Sequence, residues 1–152
     1  MEQTAPKTSE GKTERARKLA EEIKEHISRG NYADALKSLD AFLEIMPGDH
    51  EALITKVQLL VFFNKLRDAD KLIDKVIEKF PKDPYAHLTK AIITVLYASD
   101  IKAALGHLDK GIDTCPECFE LLVAKAQMLY WLGDSSYNLW IGRAERLDKE
   151  RA

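Results

Sequence analysis

The chain has 152 residues, 45% of them hydrophobic and 32% charged, the composition of one soluble domain whose core needs neither disulfides nor metal. Its 23 Lys and Arg nearly balance 25 Asp and Glu, so the net charge of -2 gives no general attraction to nucleic-acid phosphates or anionic lipid. The first twelve residues, MEQTAPKTSEGK, lack the apolar core of a secretory signal, no apolar run approaches the ~20 residues that cross a bilayer, and two cysteines make no disulfide framework, so a cytoplasmic protein is expected.

Residues 1-12 read as a flexible tail and 13-152 as one helical repeat domain. The repeat is carried by Pro47, Pro81 and Pro116, which lie 34 and 35 residues apart. The same offsets relate Gly30, Asn64, Ser99 and Gly133, then Tyr32, Leu66 and Ile101, then Ala35, Ala69 and Ala104, and also Leu39, Ile73 and Leu108. Lys56, Lys90 and Lys125 recur likewise, which places the extra residue of the third unit between Lys90 and Ser99.

In chain order, apolar residues at helical spacing predict helix pairs at about 13-29 and 32-45, 49-63 and 66-80, 84-98 and 101-114, and 117-132 and 136-150. Gly30 and Gly133 suit the left-handed turn after a helix, and each recurring proline stands where a helix cannot continue. Asp49 and Asp83, two residues after their prolines, can accept the free amide hydrogens of the next helix, and Pro84 fits a first helical position. One pair cannot bury its own apolar stripe, so neighbours must stack, with Ala35, Ala69, Ala104 and Gly111 allowing close approach. The fold class expected is all-α, a solenoid of about four helix-turn-helix units.

The run Gly30-Asn31-Tyr32 followed by Ala35, Leu39, Phe42 and Pro47 resembles the second half of a tetratricopeptide (TPR) repeat, and the likeness extends over residues 13 to about 134. It is weaker in the first helices, where Leu53 and Ala91 fit but Glu22, His26 and Lys56 depart from the usual Leu and Tyr. The last unit keeps Gly133-Asp134 but has Asn138 and Gly142 where apolar residues are usual; its final helix reads as Tyr137, Trp140 or Ile141, Ala144 and Leu147 above a solvated Asp148 to Arg151, a terminal cap.

Chemistry is sparse. No phosphate loop, nucleophile elbow or His-Glu-x-x-His helix occurs, so no enzyme is expected and no cofactor or metal is implied. His26, His50, His87 and His107 are scattered, and Asp70 and Asp74 read as an ordinary solvated helix face. Cys115-Pro116-Glu117-Cys118 has the spacing of a redox disulfide or half a zinc site, but a structural zinc needs four ligands and the motif joins two helices. If either thiol is reactive it is Cys118, placed at a helix N-terminus where the dipole favours thiolate.

The resemblance implies a scaffold or adaptor that binds another protein along its first helices. The carboxylate clamp of chaperone-binding members is not present: its positions hold Ala20, Lys24, Thr55, Tyr85 and Thr89, or, one repeat on, Ile54, Gln58, Thr89, Glu120 and Ala124. The ligand-facing positions fall instead on Ile54, Gln58, Val61 and Phe62, then Tyr85, Leu88 and Ile92 (with Val95 and Leu96, or in a shifted register Ile93, Leu96 and Tyr97), then Val123, Gln127, Tyr130 and Trp131. The first unit offers Arg17, Ala20, Lys24, Ile27 and Ser28, a basic end leading to an apolar one. An amphipathic helix or an apolar extended segment is the partner expected. The alternatives are a redox or metal-binding protein using the cysteine turn, or a self-assembling architectural spacer.

Overall fold

A computed structural model describes residues 9–151, and among them every regular element is an α-helix. In order these are α1 (Ser9–Ser28), α2 (Tyr32–Ile45), α3 (His50–Phe62), α4 (Leu66–Lys79), α5 (Pro84–Ala98), α6 (Ile101–Thr114), α7 (Phe119–Trp131) and α8 (Tyr137–Arg151). Helix α1 begins at Ser9, earlier than the expected start at 13, while residues 1–8 of the expected tail lie outside the described residues. The other helices fall within two residues of the expected bounds.

Two turn types alternate along the chain, each fixed by a recurring residue. After α1, α3, α5 and α7 the backbone turns left-handed at Gly30, Asn64, Ser99 and Gly133, with φ of 76°, 58°, 53° and 72°. At Gly30 the amide of the following Asn31 reaches back to the His26 carbonyl at 2.8 Å, and the amide of Asp134 does the same to Leu129 at 2.9 Å, closing both helix ends. After α2, α4 and α6 a tight turn carries the proline second: the amides of Asp49, Asp83 and Cys118 donate to the carbonyls of Met46, Phe80 and Cys115. The next helix then starts on a cap, Asp49 accepting from the Ala52 amide at 2.9 Å and Asp83 from Tyr85 at 3.0 Å, with Pro84 in the first turn of α5.

The chain divides into two compact units, one ending at Phe63 and the other beginning at Asn64. In the first, α1 packs on α2 and α2 on α3, around Ile23, Ala35, Leu39, Ala52 and Leu59. In the second, α4 to α8 pack in succession, with Ala91, Ala104, Leu108 and Met128 joining α5, α6 and α7. Ala35, Ala69 and Ala104 have no exposed surface, as close helix approach demands. Gly111 is tighter still: a Cβ there would collide with the Leu121 side chain and come within 3.1 Å of the Pro84 carbonyl oxygen.

Candidate protein-binding surfaces

On α3 of the first unit, Ile54 and Val61 are half-buried, whereas Gln58 and Phe62 face solvent. Phe62 is 64% exposed, its ring held edge-on between Tyr32 at 4.7 Å and Phe63 at 5.3 Å. In the same unit, Ala20, Ile23, Lys24 and Ile27 of α1 line a cleft of about 260 Å³ with Leu39, Phe42, Asp49 and Thr55. Of the two cations at the expected basic end, Arg17 is paired. Arg17 bonds Glu14 at 2.8 Å and Glu21 at 2.6 Å, and the hydrogen bond from Arg17, reinforced by its charge, holds the Glu14 carboxyl below its ordinary pKa.

In the second unit, Tyr85, Ile92 and Leu96 stand outward along α5; of the shifted set, Leu96 and Tyr97 are exposed and Ile93 is wholly buried. Leu88 and Val95 are half-buried because they pack against the core that receives α7. On α7, Val123, Gln127, Tyr130 and Trp131 are all exposed, Trp131 by 54% and Tyr130 by 59%. Tyr130 meets Tyr137 of α8 edge-on at 5.3 Å, above a cleft of about 460 Å³ lined also by Val123, Gln127, Ile141 and Glu145.

A sequence signature described as the tetratricopeptide repeat matches residues 26–93. Its span holds the left-handed turn at Gly30, the proline turn at Pro47 and the capped start of α5, so match and geometry agree on the repeat. Over residues 26–93 the chain carries the tetratricopeptide repeat. Solved structures agree in fold. MamA from Desulfovibrio magneticus RS-1 superposes with a TM-score of 0.76 at 16% identity, covering 89% of this chain and 76% of its own. A thermophilic TPR protein of Thermus thermophilus gives 0.75 at 16% identity, covering 88% and 75%. A tetratricopeptide repeat protein of Parabacteroides merdae gives 0.72 at 14% identity, covering 90% and 61%. No curated protein matches the chain.

Between its helices the chain carries one polar feature that reading each helix alone misses. Lys56 bonds Asp40 at 2.7 Å, Lys90 bonds Asp70 at 2.7 Å and Asp74 at 2.9 Å, and Lys125 bonds Asp109. Asp70 and Asp74 are therefore not an ordinary solvated face; they converge on a lysine of the following helix. Burial opposes the Lys90 charge, but the hydrogen bonds Lys90 donates to both aspartates outweigh it and raise its pKa. Nearby, burial and the Lys90 and Lys110 charges lower that of His107. His87 is a core residue, its Nε2–H donating to the Pro81 carbonyl at 2.8 Å.

The cysteines close the turn between α6 and α7. Cys115 caps the end of α6, Cys118 stands at the N-cap of α7, and the two form a disulfide. The expectation of a reactive Cys118 is corrected to that extent: its position is the expected one, but its sulfur is bonded and buried, so this state offers no thiol. Among the described residues no cluster of His, Cys, Asp and Glu could hold a metal, and no helix is long and apolar enough to cross a membrane.

Proposed function

We propose that this TPR chain is a protein-interaction module that takes an apolar or amphipathic segment of another protein on the outward faces of its first helices. The observation that carries this is the exposed stripe of Tyr85, Ile92 and Leu96 on α5 with Trp131 on α7, two helices that pack on one another. Side chains of this size, left in water on adjoining helices, mark a surface that a partner covers. In the first unit Phe62 offers a second anchor of the same kind. Binding fits the site better than catalysis does, since the shifted lysine and histidine are accounted for by a structural ion-pair network and its neighbours.

The test is selection of ligands from a displayed peptide library against the full chain, followed by calorimetry of a selected peptide. Trp131→Ala and Phe62→Ala are each expected to weaken a peptide seated on their own surface by more than about 1 kcal/mol, with unchanged circular dichroism. Affinity indifferent to Trp131, Leu96 and Phe62 would remove the basis of this reading.

A further inference from the structure

The ion-pair ladder has a fixed construction. Asp40, Asp74 and Asp109 each follow a buried aliphatic residue, Leu39, Ile73 or Leu108, and each bonds a lysine on the next first helix. The dipeptide recurs a fourth time, 36 residues after Leu108-Asp109, as Ala144-Glu145 of α8. Ala144 is buried and Glu145 lines the 460 Å³ cleft between α7 and α8, in which no lysine or arginine takes part. Across that cleft, Val123 and Tyr130 lie 35 residues after Leu88 and Val95, the residues with which α5 receives Ala124 and Met128 of α7. Both ends of a helix seat are thus in place: an apolar floor, made roomier by Ala144 where Leu or Ile stands elsewhere, and an acid at its rim.

We propose that the cleft between α7 and α8 docks an amphipathic helix supplied by a partner protein, with small and medium apolar residues on its buried face and a lysine placed against Glu145. The inference rests on the reading of the chain as a protein-binding module but uses a different face from the stripe that ends at Trp131. Charge selects the occupant. A second copy stacking through α1 would present Lys18, Glu21, Glu22 and Glu25, which lie 34 residues before Ala52, Thr55, Lys56 and Leu59 and are all exposed. With Glu21 and Glu25 already paired to Arg17 and Arg29, Glu22 would then approach Glu145 and Asp148 over an apolar floor, a repulsive and desolvating arrangement. The stretch Met1 to Thr8 carries only Met1 and Ala5 as apolar side chains besides Pro6, too few for a helical stripe.

The probe is a stapled helix that keeps Leu121, Ala124, Lys125 and Met128 of α7, the residues that fill the corresponding interior seat, with its outward positions changed to Gln. Titrated into the full chain, it is expected to bind one to one. Ile141→Asp, at an exposed wall of the cleft, should weaken binding by more than about tenfold, and Glu145→Lys by about fivefold. Changing the lysine of the probe to Glu should restore binding to the Glu145→Lys chain. No binding, binding indifferent to Ile141→Asp, or a Glu145→Lys loss that the reversed probe does not repair overturns the seat. A probe that responds to Trp131→Ala but not to Ile141→Asp also overturns it while leaving the α5 and α7 stripe intact. Self-association of the chain abolished by Ile141→Asp would overturn the partner-supplied occupant in favour of a second copy.

Discussion

Gly106 and Gly111 share α6, yet the same substitution should move stability in opposite directions. A Cβ on Gly106 meets nothing within 4 Å, so Gly106→Ala gains the helix propensity of alanine and should stabilise by up to about 1 kcal/mol. At Gly111 the Cβ runs into Leu121 and crowds Pro84 and His87, so Gly111→Ala should cost about 1–3 kcal/mol net despite that gain. Chemical denaturation of the two variants checks both signs, and a stabilised Gly111→Ala would mean that α6 and α7 are not so closely packed. The sequence marks Gly111 as a place of close approach because a mid-helix glycine needs a compensating reason. It does not reveal that Leu121 is the group in the way, since that depends on how one helix lies on the next. The left-handed turns are more legible: Asn64 and Ser99 stand in the glycine column, and both adopt positive φ.

Between elements, the lysine ladder is the polar counterpart of the apolar core. Lys90 keeps 13% of its side-chain surface in contact with water while bonding two aspartates, so its pKa is pulled down by burial and up, by more, through Asp70 and Asp74. A folded-state pKa above the unfolded value of about 10.4 means the pair contributes fully below that value and loses its contribution as pH rises through the folded one. At pH 7, Lys90→Met should therefore cost about 1–2 kcal/mol, part of it from leaving Asp70 and Asp74 one turn apart without a cation. As pH rises through that folded-state value, the gap between the two proteins should narrow. Thermal melts across that range decide it, and a gap independent of pH would mean that Lys90 acts through its aliphatic stem alone. The lysine column is visible in sequence, but its acidic partners escape a search for pairs one turn apart on a single helix. Asp40, Asp74 and Asp109 follow the same 34- and 35-residue offsets and emerge when the repeat period is applied to charges as well as to apolar residues.

Across the molecule, repeat architecture is legible because every turn is set by a residue type with a local conformational reason, while the surfaces are legible only in part. Spacing groups Val123 and Tyr130 with Gln127 and Trp131 as one ligand face; the equivalents of the first two, Leu88 and Val95, are packed interior residues, and those of the second two, Ile92 and Leu96, are exposed. Sequence spacing cannot separate a groove from a stacking face, because a helix in a stacked array is apolar on both. This difference fixes where stability should be lowest. Helix α7 buries Leu121, Leu122, Ala126, Met128 and Leu129, but α8 buries Ala144 alone. Trp140 adds a clasp to α7, with Lys125 at 4.0 Å from its ring, a contact worth about 0.5–1 kcal/mol at exposed sites, while Arg143 of α8 itself lies 4.6 Å from the same ring. In a stacked array each helix is held by its neighbours, so α8 should open without α7. Native-state hydrogen exchange is expected to give α8 amides an opening free energy at least about 2 kcal/mol below that of α7. Saturating the seat with the stapled helix at about 100 times its dissociation constant should then raise protection in α8 by up to about 2.7 kcal/mol, if its opening destroys the seat. Equal protection of α7 and α8 in the unbound chain would show that the terminal helix is held by more than its one buried alanine and the Trp140 clasp, and unchanged α8 protection with the probe bound would place that probe elsewhere.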